Sequence, residues 1–413
     1  MAHVVGGRVH DEHVLRLEVT MFETKLPYPV FDADKHFYDA DDAITRHLEP
    51  RFVAAGKVAQ DYVPKKADQH RERMRQEFGG MVPGSSTYKA NPLRIQDAEE
   101  RERVVQTFRM MSPAFQNREN RLDVMDIQGL EAAIMFPTGV GVSVEGEFLD
   151  DPDANAANVR AYNRWVQDDW GFDYKGRILT PANVPLATID VMVSELDRVL
   201  SEGARTILLP PGPLNDRSPG DPYYDPFWAR LEEAEVRPLV HLGYTKYQRA
   251  GAAYGYDPEM HYFDGFDAFQ WFSYWGDRPI METVAAMVFD NLFTRFPELR
   301  VGIIEHGAVW APYALRKMDH AFLMQRSTRN GTLAERPSDI VREHFVIAPY
   351  PEERIGRILE VLPPSSLVFG SDFPHPEGLP DPVTYVQELT ELSEDDQRRI
   401  MSTNLAEFLR LTA

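Results

Sequence analysis

The 413-residue chain contains no cysteine, which excludes disulfide bonds and thiolate metal ligands. Any metal ion must therefore be held by nitrogen and oxygen donors. Basic residues are also scarce: 44 lysines and arginines face 65 aspartates and glutamates, giving a formal net charge of −21. Such a surface repels phosphate backbones and anionic lipid, so we expect neither nucleic acid nor membrane as a partner. An anionic substrate remains compatible, because a metal or arginine can reverse the field inside a cleft.

Long apolar runs are absent as well. No uncharged stretch approaches the roughly 18 residues that a membrane helix needs, and the first residues are too polar for a secretory signal peptide. With 43% hydrophobic and 26% charged residues, the composition is that of an ordinary globular protein. We expect a cytoplasmic protein.

Short apolar segments with strand character alternate with segments of helical periodicity. This alternation is typical of a parallel α/β architecture, and eight repeats favour a closed (β/α)₈ TIM barrel over an open sheet. The predicted strands are residues 30–36, 132–137, 177–183, 205–209, 238–241, 300–306, 344–348 and 367–370. The predicted helices are residues 155–169, 189–202, 226–235, 281–296, 310–324 and 393–411.

We predict a single domain over residues 1–413, with three additions to the barrel. Residues 1–28 form an amino-terminal arm, and residues 37–125 form a charged, helical insertion after the first strand. Residues 243–280, after the fifth strand, are rich in aromatic rings. This aromatic segment is either a lid that lines a pocket for a ring or unsaturated acid, or a patch that packs on a second subunit.

Four predicted strands end in histidine or aspartate. The first carries Asp34 and His36, the fifth ends at His241, the sixth at His306, and the eighth leads into a Gly-Ser turn before Asp372. A lone histidine of this kind is commonly structural, and a Gly-Ser-Asp turn is commonly only a local turn. Four such endings at the functional face of one barrel instead indicate a shared site.

Imidazole and carboxylate donors without thiolate suit zinc, manganese, iron or cobalt. We expect one divalent metal, zinc first, held by Asp34, His36, His241 and Asp372 with a position left open. His306 would lie beside it as an acid–base group.

Three further residues are candidates for substrate binding or for support of the site. His375 follows Asp372 between two prolines, Asp32 shares a strand face with the ligands of the first strand, and Trp271 lies in the aromatic segment.

From about residue 30 to 411 the chain resembles the amidohydrolase-related metal-dependent family. The similar branch contains aminocarboxymuconate-semialdehyde decarboxylase and resorcylate-type decarboxylases. Single motifs are weak, but their order and the last segment make the resemblance specific. The motifs are Tyr162-Asn-Arg-Trp, Tyr223-Tyr-Asp-Pro-Phe-Trp, Val240-His-Leu-Gly, Ile304-Glu-His-Gly and Phe369-Gly-Ser-Asp-Phe-Pro-His.

The resemblance implies roles for individual residues. It makes His241 a metal ligand, Asp372 a ligand and proton-transfer group, and His306 the catalytic histidine. The family's first strand commonly reads Asp-x-His-x-His, and here Asp34 replaces the first histidine, as in some members. Binuclear relatives bridge two metals with a lysine on the fourth strand; residues 205–210 contain none, which favours one metal.

Two reactions fit these residues. One is non-oxidative decarboxylation of an aromatic or unsaturated carboxylic acid, which the relatives and the aromatic segment favour. The other is hydrolysis of an amide, ester or lactone by metal-activated water. A third hypothesis is a metal-free binding or assembly module, suggested by Asp34 alone. We expect a small-molecule partner that carries a carboxylate, and a homodimer or higher homo-oligomer.

Overall fold

The computed structural model describes residues 24–59, 111–243, 251–257, 267–274, 276–375, 377–379 and 381–411. Within these ranges the strands are β1 Val30–Tyr38, β2 Leu130–Thr138, β3 Asp173–Tyr174, β4 Ile178–Leu179, β5 Thr206–Leu209, β6 Arg237–His241, β7 Val301–Ile304, β8 Ser327–Thr328, β9 Gly331–Thr332 and β10 Phe345–Ile347.

The α-helices of the same residues are α1 Pro50–Ala54, α2 Arg118–Gln128, α3 Pro152–Asp169, α4 Ile189–Ser201, α5 Asp225–Glu233, α6 Ala268–Tyr274, α7 Asp277–Phe289, α8 Leu292–Arg295, α9 Ala311–Met324, α10 Pro337–His344, α11 Ile355–Ile358, α12 Glu394–Arg398 and α13 Asn404–Leu409. A π-helical turn, Arg399–Thr403, joins the last two.

The parallel pairings run around a ring. β1 pairs with β2 and β2 with β4, while β5, β6, β7 and β10 pair in that order. Single bridges join these two sheets: Ala182 pairs with β5, Leu367 pairs with β10, and Phe373 pairs with β1. The predicted (β/α)₈ barrel is confirmed. Its eighth strand, residues 367–373, is held by bridges rather than by a regular ladder.

The helices begin where the sequence supplies a capping side chain. Asp151 caps α3, Thr188 caps α4 and Ser393 caps α12, each by accepting a hydrogen bond from a backbone N–H in the first turn. The predicted helix 281–296 is divided, because Asn291 adopts φ 57° and separates α7 from α8. The other predicted helices agree with the structure to within a few residues.

The amino-terminal end of the barrel is filled by the last helix. Leu405 and Phe408 of α13 join the apolar cluster inside the barrel, beside Phe31 of β1. Arg237, at the start of β6, donates from Nε to the backbone oxygen of Phe408 at 2.7 Å and fixes the end of α13. The polar candidate site residues therefore lie at the opposite, carboxyl-terminal end of the barrel.

Most of the predicted arm and insertion, and part of the aromatic segment, lie outside the described residues. β1 continues to Tyr38, so the segment after it begins two residues later than predicted. Among the residues that the structure describes, no helix is long and apolar enough to cross a membrane.

Candidate metal centre

The carboxyl ends of β1, β6, β7 and the 367–373 strand bring five predicted site residues together. His36 Nε2 lies 3.3 Å from Asp34 Oδ1 and 3.2 Å from Asp372 Oδ1. His241 Nε2 lies 3.5 Å from the same Asp34 oxygen. These side chains are buried, and Asp34, His36 and His241 each offer a donor atom within 4.8 Å of the others. His306, buried beside them, is the fifth.

The two imidazoles point their Nε2 atoms into the cluster. His241 Nδ1 lies 2.7 Å from the backbone oxygen of Leu242, and His36 Nδ1 lies 3.3 Å from that of Pro137. A carbonyl oxygen only accepts hydrogen bonds, so Nδ1 carries the hydrogen of a neutral ring and Nε2 carries the lone pair. This is the ring arrangement of a metal-ligating histidine.

The donor atoms that face one another are not hydrogen bonded. Among the described residues, Asp34 Oδ1, His36 Nε2, His241 Nε2 and Asp372 Oδ1 are buried without a hydrogen-bond partner, although they approach to 3.2–3.5 Å. When the two rings are neutral, lone pairs so placed repel, and leaving them unsatisfied is costly. A cation among them removes both penalties, so the donor set supports a divalent metal ion.

Asp372 is held in a tight turn against β1. Its backbone has φ 55°, a conformation that non-glycine residues rarely adopt, and its N–H donates to the backbone oxygen of Asp34 at 2.8 Å. A Cβ at Gly370 would lie 2.8 Å from the Cβ of Asp34, so only glycine allows this approach. The Gly-Ser-Asp sequence therefore aims the Asp372 carboxylate at the metal site.

Asp32, a candidate for substrate binding or for support of the site, holds the same turn. It is fully buried, and its Oδ1 accepts hydrogen bonds from the backbone N–H of Ser371 at 2.9 Å and of Asp34 at 3.1 Å. Lys35 Nζ lies 3.7 Å from the other oxygen, Oδ2. Asp32 thus connects the two strands that carry Asp34 and Asp372.

His375 lies beside the cluster. Its Nδ1 is 2.8 Å from Asp372 Oδ1, its Nε2 is 2.9 Å from Thr138 Oγ1, and its ring stacks on His36 at 3.8 Å between centroids. The ring is partly exposed.

His306 is buried, and burial together with the neighbouring His241 lowers its pKa to about 3. It is therefore a neutral imidazole at physiological pH. Neither ring nitrogen has a well-formed hydrogen bond within the described residues, so both are available to a bound molecule. Such a ring can donate one hydrogen bond and accept another, but it carries no extra proton to give as an acid.

One residue of the cluster was missed. Glu305 precedes His306, and its Oε2 lies 2.8 Å from His241 Nε2 and 3.3 Å from His36 Nε2. Strand alternation assigns neighbouring residues to opposite faces, so a regular strand that directs His306 into the site would direct Glu305 away from it. β7 ends at Ile304, and φ 56° at Glu305 breaks that alternation. The sequence signal that could have identified Glu305 is the presence of two titratable residues at the same strand end.

Trp271 lies on α6, and 41% of its surface is exposed. Its part in substrate binding stays a prediction, as does the lid or subunit role of the aromatic segment.

Comparisons with known proteins identify the family of this chain. The sequence profile of the Amidohydrolase family matches residues 31–411. An amidohydrolase from Mycobacterium avium subsp. paratuberculosis K-10 is 33% identical, with a TM-score of 0.76 and coverage of 93% of this chain and 100% of that one.

Two more distant structures share the fold. A 2,6-dihydroxybenzoate decarboxylase from Rhizobium is 18% identical, with a TM-score of 0.61 and coverage of 93% and 99%. A dihydroxybenzoic acid decarboxylase from Polaromonas sp. JS666, with bound manganese and 2-nitroresorcinol, is 16% identical, with a TM-score of 0.60 and coverage of 93% and 97%. The profile match and the 33% identical relative show that the chain belongs to the amidohydrolase family, whose enzymes are metal-dependent hydrolases or carboxy-lyases.

Proposed function

We propose that this protein is a mononuclear metal-dependent enzyme that decarboxylates an aromatic or unsaturated carboxylic acid without oxidation. Asp34, His36, His241 and Asp372 would hold the ion. The observation that carries the proposal is that one buried donor atom of each converges without a hydrogen-bond partner among the described residues. The ion is expected to be zinc, with manganese, iron or cobalt as alternatives, since imidazole and carboxylate donors suit all four.

The substrate class rests on two supports. Several proteins of the same fold are named as decarboxylases of dihydroxybenzoate or carboxyvanillate. The second support is the aromatic segment, in which Trp271 of α6 is 41% exposed. An exposed aromatic ring can stack on a planar substrate.

A metal ion bound here would supply a Lewis acid for the substrate carboxylate or an adjacent hydroxyl. The residues of the chain would move the proton. Asp372, with His375 at 2.8 Å from its Oδ1, is placed to deliver a proton to the ring carbon that bears the carboxylate. The carbon–carbon bond then breaks, its electron pair restores the ring, and carbon dioxide leaves. The neutral His306 would orient the substrate through a hydrogen bond.

Hydrolysis of an amide, ester or lactone is the second candidate. In this reaction the neutral His306 ring would donate a hydrogen bond to the developing oxyanion. Asp372 would accept a proton from the attacking water. A metal-free module is disfavoured, since Asp34 takes part in the donor cluster rather than interrupting it.

Isotope labelling distinguishes decarboxylation from hydrolysis. Metal-loaded protein is incubated in D₂O with a panel of hydroxybenzoic acids, and separately in H₂¹⁸O with aryl esters, lactones and anilides. The proposal expects carbon dioxide release and one deuterium at the former carboxylate carbon, and no turnover by Asp372→Asn of native helical content. Incorporation of ¹⁸O into an acid product, with no carbon dioxide from any acid, would establish hydrolysis instead.

We also infer a homodimer or higher homo-oligomer and a cytoplasmic location. Exposed rings support the first: Phe272 on α6 is 83% exposed, and Tyr313 on α9 is 62% exposed. A contact between subunits would cover such surface.

A further inference from the structure

We infer that Glu305 is an additional ligand of the metal ion, so that the first coordination shell contains three carboxylates and two imidazoles. This inference rests on the proposed metal centre. Regular strand alternation would direct the Glu305 side chain away from the cluster. The left-handed backbone of Glu305, just after β7 ends, directs it into the cluster instead.

The position of the carboxylate is the first argument. Glu305 Oε2 lies 2.8 Å from His241 Nε2 and 3.3 Å from His36 Nε2. Its side chain is 10% exposed, and it belongs to both groups of four donors in which all ligand atoms lie within 4.8 Å of one another. Besides Glu305, only His36 belongs to both groups. Glu305 is therefore central to the cluster rather than peripheral.

The second argument is the quality of its contacts. A carboxylate that only accepted a hydrogen bond from His241 would align with an Nε2–H. His241 Nε2 instead has no hydrogen-bond partner among the described residues, despite the 2.8 Å separation. The Nδ1 atom of that ring faces the Leu242 oxygen, so in the neutral ring that a metal requires the Nε2 lone pair is directed at Glu305. A cation between the two groups makes this arrangement favourable.

The third argument is that several contacts hold the backbone around Glu305 in an unfavourable conformation. Glu305 has φ 56°, a strained conformation for a side chain of its size. Tyr350 donates its hydroxyl to the Glu305 backbone oxygen at 2.7 Å, and Glu353 accepts the N–H of Ala308 at 2.8 Å. Gly307 has φ 58°, and a Cβ there would lie 2.3 Å from Glu353 Oε1, so glycine is favoured at this position. Strain held in this way is typical of functional sites.

Three oxygen donors make the centre richer in carboxylate than a three-histidine zinc site. Carboxylates suit manganese, and more than four protein ligands exceed the tetrahedral arrangement that structural zinc prefers. The inference therefore predicts that the wild-type site coordinates its metal with more than four ligands.

Cobalt(II) is the probe that tests this, because its visible absorption is intense in four-coordinate sites and weak at higher coordination. Purified wild type, Glu305→Gln, Glu305→Ala and Glu145→Gln are stripped of metal and titrated with CoCl₂. Glu145 is the matched control, a buried carboxylate bonded to Asn183 instead. Thermal melts of the metal-free proteins check that each variant folds.

We expect weak absorption from wild type and Glu145→Gln. Glu305→Ala should bind cobalt at least about 10-fold more weakly, because removing even a residue that only supports a metal ligand weakens binding by that factor. Its cobalt complex should also absorb visible light more intensely. Glu305→Gln should fall between. Wild-type affinity and spectrum in both Glu305 variants would overturn the inference and leave the metal centre standing. Failure of wild type to bind cobalt would refute the metal centre itself.

Discussion

The backbone N–H of Ser371 donates a hydrogen bond of 2.9 Å to the carboxylate of Asp32, joining residues separated by 339 positions in the sequence. The contact lies directly behind the metal cluster and ties β1 to the strand that carries Asp372. Lys35 compensates the buried charge: its Nζ lies 3.7 Å from Asp32 Oδ2 and donates to Gln128 at 2.9 Å. Burial lowers the pKa of Lys35 and raises that of Asp32, and each partner opposes the shift of the other.

Removing Lys35 should therefore destabilise the barrel. Lys35→Met leaves the Asp32 carboxylate buried without its ammonium partner, which typically costs about 3–5 kcal/mol. The Asp32→Asn, Lys35→Met double variant carries no unpaired charge and should recover much of the loss. The free energy of unfolding, measured by urea denaturation, checks both. Equal stability of Lys35→Met and wild type would show that this pair does not hold the strands.

Metal binding should release protons. Burial alone would lower the pKa of His241, but Glu305 and Asp34 outweigh it and raise that pKa to about 9 in the metal-free protein. Carboxylates likewise raise the pKa of His36. Both rings must lose a proton before Nε2 can bind a metal. Affinity should therefore increase as the pH rises towards about 9.

Calorimetric titration with MnCl₂ at pH 7.5, in two buffers of different ionisation enthalpy, measures these protons. We expect about two protons released per ion. A binding enthalpy independent of the buffer would show that the rings are already neutral. Adding the Glu305→Gln variant separates the influence of that carboxylate from that of Asp34.

Glu145 should set a pH dependence of stability unrelated to the metal. Its carboxyl is buried, accepts from Asn183 Nδ2 at 3.2 Å, and has its pKa raised by burial to about 7 from 4.5. The folded protein holds this proton where the unfolded chain has lost it, so the contribution is full below pH 4.5 and is lost as the pH rises to about 7. The loss amounts to ~3 kcal/mol.

Glu145→Gln keeps an oxygen for Asn183 and removes the charge. Its melting temperature should exceed that of wild type at pH 8, and the difference should shrink towards pH 5. Melts of metal-free protein across this range test the sign. A difference that grows towards acid pH would contradict the assignment.

The sequence was sufficient for the barrel because its strands carry a strong local signal. Apolar runs such as those ending at His241 and Ile304 are buried on both faces, and such runs predict parallel strands without knowledge of their partners. Helix starts were equally local, since Ser393 caps its helix through a residue three positions away. Asp34, His36 and Asp372 followed from their places at strand ends.

Other features of the site could not be predicted, because they depend on backbone conformations and long-range contacts that the periodicity of the sequence does not indicate. Glu305 enters the cluster because of a left-handed backbone at one residue, fixed by Tyr350 from a distant loop. Asp32 was placed near the site, but its hydrogen bond to Ser371 needed the closure of the barrel. The Lys35 pair also escaped notice, because a charged residue in a strand is ordinarily exposed.

The account's central claim is that one divalent metal ion is held by the residues at these strand ends. Elemental analysis of the purified wild type, His241→Ala and Asp372→Ala measures it most directly, with Glu145→Gln as a control that leaves the cluster intact. The account predicts about one divalent ion per chain in wild type and control, with most of it lost in the two ligand variants that still fold. A wild-type protein without metal that also fails to take up added zinc, manganese or cobalt would contradict it.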